Sequence, residues 1–176
     1  ATQQSIKAYV DANGGGGWEF VSTTSFSAEA SKTITGLTSG YLYKVVIPQM
    51  TFSAGGAVLL RFGDTGGIDS GASDYRYGGY RMESNSGSIS DASSDYIQKC
   101  SSAATGDILT SSFEIFGAGV SAETTALGDS AVEATNGAVT PFGGRRRSAI
   151  TCDRFQISVA SGNLTGDLHL YRLATS

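Results

Sequence analysis

From Trp18 onward the apolar positions fall at every second residue. Trp18, Phe20 and Phe26 share parity with Ser22 and Thr24, while Glu19 and Thr23 take the other face, a period that predicts strand. Tyr41, Tyr43, Val45 and Ile47 form a second set, interleaved with Leu42, Lys44 and Val46. It is expected to stop near Pro48, which has no N–H for a sheet ladder. Met50 and Phe52 lead into a turn at Gly55-Gly56, and Val58 to Phe62 is apolar at both parities, the mark of a strand covered on both sides. Further strands are predicted over 75–81, 95–100, 108–116, 149–159 and 164–173. Turn formers such as Asp64-Thr65-Gly66-Gly67 and Ser161-Gly162-Asn163 lie between them. The segment 117–144 alternates least and reads as a long excursion with one or two irregular strands. Within 149–159, Phe155, Ile157 and Val159 have one parity, Ile150 and Cys152 the other. A bulge near Asp153 would turn both sets inward. Some eight short strands joined by Gly, Ser, Asn and Asp, with no later helical period, predict an all-β fold. The expected architecture is one antiparallel β-sandwich, jelly-roll-like, over 18–176.

The first 13 residues differ. Ile6, Tyr9 and Val10 stand at i, i+3 and i+4, flanked by the Lys7/Asp11 pair, which predicts a short amphipathic helix. Asn13-Gly14 supplies its stop, and Gly14 to Gly17 a flexible joint. A helix this short is marginal alone, so its stripe either packs on the domain or meets copies of itself as an oligomer seam.

Composition sharpens this picture. The 24 glycines among 176 residues cluster in pairs without a triplet period, which excludes collagen. With 40% hydrophobic residues a packed core is expected in place of disorder. Twelve basic and 16 acidic side chains leave a net charge of −4, which argues against general nucleic-acid binding. No apolar run approaches the ~20 residues of a membrane span, and no charged-then-apolar leader opens the chain. Pairing Cys100 with Cys152 would close a loop of about 50 residues and add roughly 3–4 kcal/mol. Buried free thiols are the favoured alternative.

Residues for catalysis are scarce. His169, the only histidine, lies inside a predicted strand with no serine or aspartate motif directed at it. It reads as a half-buried strand residue. A zinc site would need His169, Cys100 and Cys152 to converge without ligand spacing. Glu114 alternates with Phe113 and Ile115, so it should face solvent, without the second carboxylate a glycosidase requires. Neither catalytic activity nor a cofactor is expected.

Two stretches carry richer chemistry. In 63–81, Asp64, Asp69 and Asp74 recur at five-residue spacing among glycines, and Tyr75, Tyr77 and Tyr80 interleave with Arg76 and Arg81. Such a stretch is a contact surface for sugar or protein, a calcium loop of unusual spacing, or a plain connection with sheet tyrosines. Arg145, Arg146 and Arg147 follow Pro141-Phe142-Gly143-Gly144. They are either solvated or suited to carboxylates of a neighbouring subunit or an anionic glycan.

Two parts of the chain resemble a known group. The opening ATQQSIKAYVD resembles a short segment of phage tail fibres that forms the last helical turns of a trimeric stalk. The body is similar to a β-domain of phage structural proteins, through Tyr41 to Ile47, Leu59-Leu60-Arg61-Phe62, Asp64 to Gly67, and Ser161 to Gly166 with Leu170-Tyr171. Arg172 stands where that group usually has glycine, and 117–144 has no counterpart in it. The resemblance implies a virion structural protein, assembled in the host cytoplasm and exposed outside the cell. It implies a homotrimer and contacts with other virion proteins, and the stripe Ile6, Tyr9 and Val10 is the expected threefold seam. Attachment to a host-surface glycan or protein as a tail-fibre tip is the expectation. Capsid decoration, or a head fibre that clamps the phage head, is the alternative.

Overall fold

The computed structural model describes residues 17–82, 87–133 and 138–175. The expected helix over 1–13, with Ile6, Tyr9 and Val10, lies outside the described residues. Among those described, all regular structure is strand. The first strands are β1 (Glu19–Glu29), β2 (Ser31–Thr35), β3 (Tyr41–Phe52), β4 (Gly56–Asp64) and β5 (Gly67–Ile68). Then come β6 (Tyr75–Arg81), β7 (Gly87–Ser94), β8 (Ile97–Ala103), β9 (Ile108–Phe116) and β10 (Ser121–Ala122). The last are β11 (Thr125–Glu133), β12 (Ala138–Arg146), β13 (Ile150–Thr151), β14 (Arg154–Val159) and β15 (Leu164–Ala174).

All pairings are antiparallel. One sheet has eight strands in the order β1-β15-β3-β9-β11-β12-β6-β7. A second runs β2-β14-β4, and the far edge of β4 is shared by β8 and β5. The pair β10-β13 stands apart. Alternation explains the core: Val45, Ile47, Phe113, Ile115, Leu168 and Leu170 of the large sheet are buried together with Leu60, Phe62, Phe155 and Ile157 of the smaller one. The Phe113 ring lies 5.9 Å from Phe142 in its own sheet and 6.4 Å, edge-on, from Phe155 in the other. Each buried ring contributes about 1.5–3 kcal/mol of transfer free energy.

Three sequence expectations are corrected. β3 does not stop at Pro48 but runs to Phe52, with a register shift between Ile47 and Met50 that accommodates the missing N–H. Residues 117–144 are not an irregular excursion, since β11 and β12 form a regular hairpin within the large sheet. Their inward positions are Ala126, Gly128, Ser130 and Thr140 as well as Val132 and Phe142, so the period hides behind small and polar side chains. The parity break near Asp153 is an exchange of strands. β13 ends at Thr151, β14 starts at Arg154, and Ile150, Cys152 and Phe155 are all buried. Strand β2 escaped the alternation because it buries only Ile34.

Candidate contact face

Strands β6 and β12 pair with Arg76 opposite Arg145 and Gly78 opposite Gly143. On the other side of β12, Thr125, Leu127 and Asp129 of β11 stand opposite Arg145, Gly143 and Pro141. Successive outward residues therefore form a grid of three rows. Arg76, Arg145 and Thr125 make the first, Gly78, Gly143 and Leu127 the second, and Tyr80, Pro141 and Asp129 the third. Two shallow depressions of about 420 and 390 Å³ open on this grid and meet at Gly78. Leu127 is 59% exposed and Tyr80 49%, high for apolar side chains at the middle of a sheet.

The inner side of the same strands is packed solid, which holds the face rigid. Tyr77 stacks on Tyr96 with centroids 6.0 Å apart and donates its hydroxyl to Gln98 Oε1 at 3.2 Å. A Cβ on Gly144 would come within 2.8 Å of Ile97 Cγ2, so only glycine lets β8 approach so closely. Tyr75 is fully buried. Its hydroxyl accepts the Phe62 N–H at 2.8 Å and faces the Phe62 and Asp69 carbonyls, each at 3.0 Å. Burial pushes that hydroxyl far above its ordinary pKa, against the lowering effect of the Phe62 hydrogen bond.

The two stretches singled out in the sequence thus meet at one corner, and their members divide. Asp69 accepts from Arg146 Nε at 2.5 Å, while Arg146 Nη1 donates to Ser148 O at 2.6 Å. Asp74 closes the 71–74 turn by accepting the Gly71 N–H at 2.7 Å, and its carbonyl accepts the Arg147 N–H at 2.7 Å. Arg145 pairs with Glu123. Tyr75 and Tyr77 turn inward, so Tyr75 is corrected from a contact residue to a core clasp: odd positions of β6 face the core. Asp69, Asp74 and Arg146 likewise tie the corner together. Tyr80, Arg145 and Arg147 remain exposed. Arg76, Gly78, Leu127 and Asp129 join the face; the parity of β6 was the signal for the first two, and nothing in the low-contrast β11 pointed to the others.

Elsewhere on the sheet's outer surface Phe20 packs edge-on to Tyr171 at 5.7 Å, and Lys44 lies over the Trp18 ring at 5.6 Å. His169 Nδ1 sits 2.9 Å from Thr23 Oγ1, the half-buried strand residue expected. Cys152 is a buried free thiol, pushed up in pKa by that burial. Among the described residues no three His, Cys, Asp or Glu side chains converge as a metal site, and no helix is long and apolar enough to cross a membrane. Comparison with protein-family models, curated proteins and solved structures returns no match.

Proposed function

We propose that the chain is a phage virion structural protein whose jelly-roll-like domain attaches to the host surface, at a tail-fibre tip, without catalysis. The open grid on interior strands carries the proposal. It presents guanidinium, aromatic and hydroxyl groups on a rigid floor, the combination that recognition of a polar surface requires. The strand orders support the architecture. Taking β1, β2, β3, β4, β8, β9, β14 and β15 as first to eighth, one sheet contains the first, eighth, third and sixth in that order. The other contains the second, seventh, fourth and fifth. Such an order is what a two-sheet jelly roll, the architecture of viral capsid and lectin domains, would have, and it supports the jelly-roll reading. The buried Cys152, its thiol pushed up in pKa, is not poised as a nucleophile, which supports binding over catalysis.

Trimerisation through 1–13 would convert weak contacts on each protomer into avid attachment. The full chain is expected to sediment as a trimer and to bind host cells saturably. A monomer at micromolar concentration would sink the trimer, and binding to purified heads in place of cells would refute the fibre assignment. Capsid decoration is the second reading, favoured by Phe20 and Val21, 55% and 40% exposed on the edge strand β1, as a protein contact would have them.

A further inference from the structure

We infer that the grid on β6, β11 and β12 is a binding groove for an acidic saccharide, whose carboxylate sits between Arg76 and Arg145. The inference rests on the attachment reading and names its ligand class. Arg76 and Arg145 stand directly opposite each other on paired strands, an arrangement of like charges that destabilises a sheet. Glu123 offsets Arg145, whereas Arg76 has no ion-pair partner among the described residues. Among the described residues, two guanidinium groups against one carboxylate leave a net positive charge at this end of the groove, on a chain whose overall charge is negative. An anion placed there gains charge-assisted, bidentate hydrogen bonds.

Gly78 gives an independent pointer. It lies in mid-strand with no left-handed backbone angle, and a Cβ built on it meets nothing within 4 Å. Neither backbone nor packing therefore asks for glycine, although glycine weakens a strand. A strand glycine marks a bulge, a bend or close approach by a ligand or another backbone; β6 pairs in unbroken register on both sides from Tyr77 to Gly79, which leaves close approach. Here the missing side chain joins the two depressions into one groove, roughly 13 Å along the strands from Arg76 to Tyr80 and beyond.

The same groove favours a saccharide over an acidic peptide. β6, β11 and β12 are paired on both sides, so no free ladder groups await an added strand. Tyr80 and Pro141 offer apolar surface for the face of a neighbouring ring, and Asp129 accepts its hydroxyls. Asp129 also repels a second carboxylate, which fixes the polarity of the chain: acid at Arg76, neutral ring at Tyr80.

The test is titration of the full chain with oligogalacturonate, its methyl ester, an oligosialic acid and a poly-glutamate peptide. Binding of at least one acidic saccharide is expected, at least tenfold tighter than of the ester and weakened by salt. Arg76→Ala and Gly78→Val should each weaken it at least tenfold. Gly78→Val is expected to retain or raise the melting temperature, which separates groove occlusion from misfolding. Equal affinity for acid and ester, poly-glutamate bound as tightly, or no acidic saccharide bound would each overturn the inference. Host-cell binding that persists in Arg76→Ala and Gly78→Val would reject this groove and leave the attachment reading standing; absence of host-cell binding by the unaltered chain would reject the attachment reading itself.

Discussion

Tyr75→Phe isolates one hydroxyl at the seam between the sheets. β8 pairs with β4 as far as Leu60 and β5 pairs with it only from Gly63 onward, so the edge of β4 is uncovered at Phe62. The Tyr75 hydroxyl fills that gap, and the Phe62 carbonyl also accepts from the Asp69 N–H at 2.9 Å. Removing the hydroxyl leaves the Phe62 N–H as a buried donor without a partner, while the ring stays and no cavity opens. An orphaned buried donor costs about 1–3 kcal/mol. At roughly 2–4 °C per kcal/mol for a chain of this size, a 2 kcal/mol loss lowers Tm by about 4–8 °C. Guanidinium unfolding should show the same loss as a shifted midpoint with unchanged slope. Because the folded-state pKa of Tyr75 is raised above 10.0, the unfolded chain releases this proton first. The associated stability is full below pH 10 and declines as pH rises from there toward the folded value, by up to about 1.4 kcal/mol per pH unit. The wild-type advantage over Tyr75→Phe should therefore shrink between pH 9 and 11. A Tm change under about 1 °C at neutral pH would refute the clasp.

Asp69→Ala and Arg146→Ala are each expected to cost about 1–3 kcal/mol, and the double variant less than their sum; additive losses in guanidinium titrations would deny the pair. Cys152 should resist iodoacetamide in the native protein and react in denaturant, as its burial and raised pKa require; mass spectrometry of its peptide reads this, and equal rates would contradict the structure. Gly119 has φ of +69° and its Cβ would fall on the backbone of Thr38 and Ser39, so Gly119→Ala should abolish soluble folded protein, and near-native Tm would count against this local packing. Hydrogen bonds from Arg172 and Arg154 hold the carboxyls of Glu19 and Asp153 below their ordinary values. That stabilisation is present above the unfolded carboxyl pKa and lost as pH falls through the lowered one. The Tm gap between wild type and Asp153→Asn should accordingly close in acid, and a gap constant to pH 2 would exclude this origin.

Where side chains differ strongly in polarity, the strands were legible. Residues 75–81 and 108–116 were predicted over the same spans that β6 and β9 occupy. The hairpin β11-β12 was not, because glycine, alanine, serine and threonine occupy both faces and burial there is decided by the neighbouring sheet. Pro48 misled for a related reason: a bulge absorbs a missing donor at a cost that sequence does not display. At the candidate site, sequence named the two segments but not their junction. Arg146 and Asp69 are 77 residues apart, and only the pairing of β12 with β6 brings them together. The inward turn of Tyr75 and Tyr77 against the outward turn of Tyr80 follows from odd and even numbering alone once β6 is a strand.

The strands of the grid come from two separate stretches, one between β4 and β8, the other between β9 and β14. The eight strands of the proposed jelly roll lie outside both. The proposed recognition face and the proposed scaffold are therefore encoded separately along the chain. Replacing the two stretches would exchange the proposed contact face while leaving most of the shared core in place, provided a buried tyrosine still closed the gap at Phe62. Under the attachment proposal, such a layout confines adaptive change to those two stretches, and spares the frame.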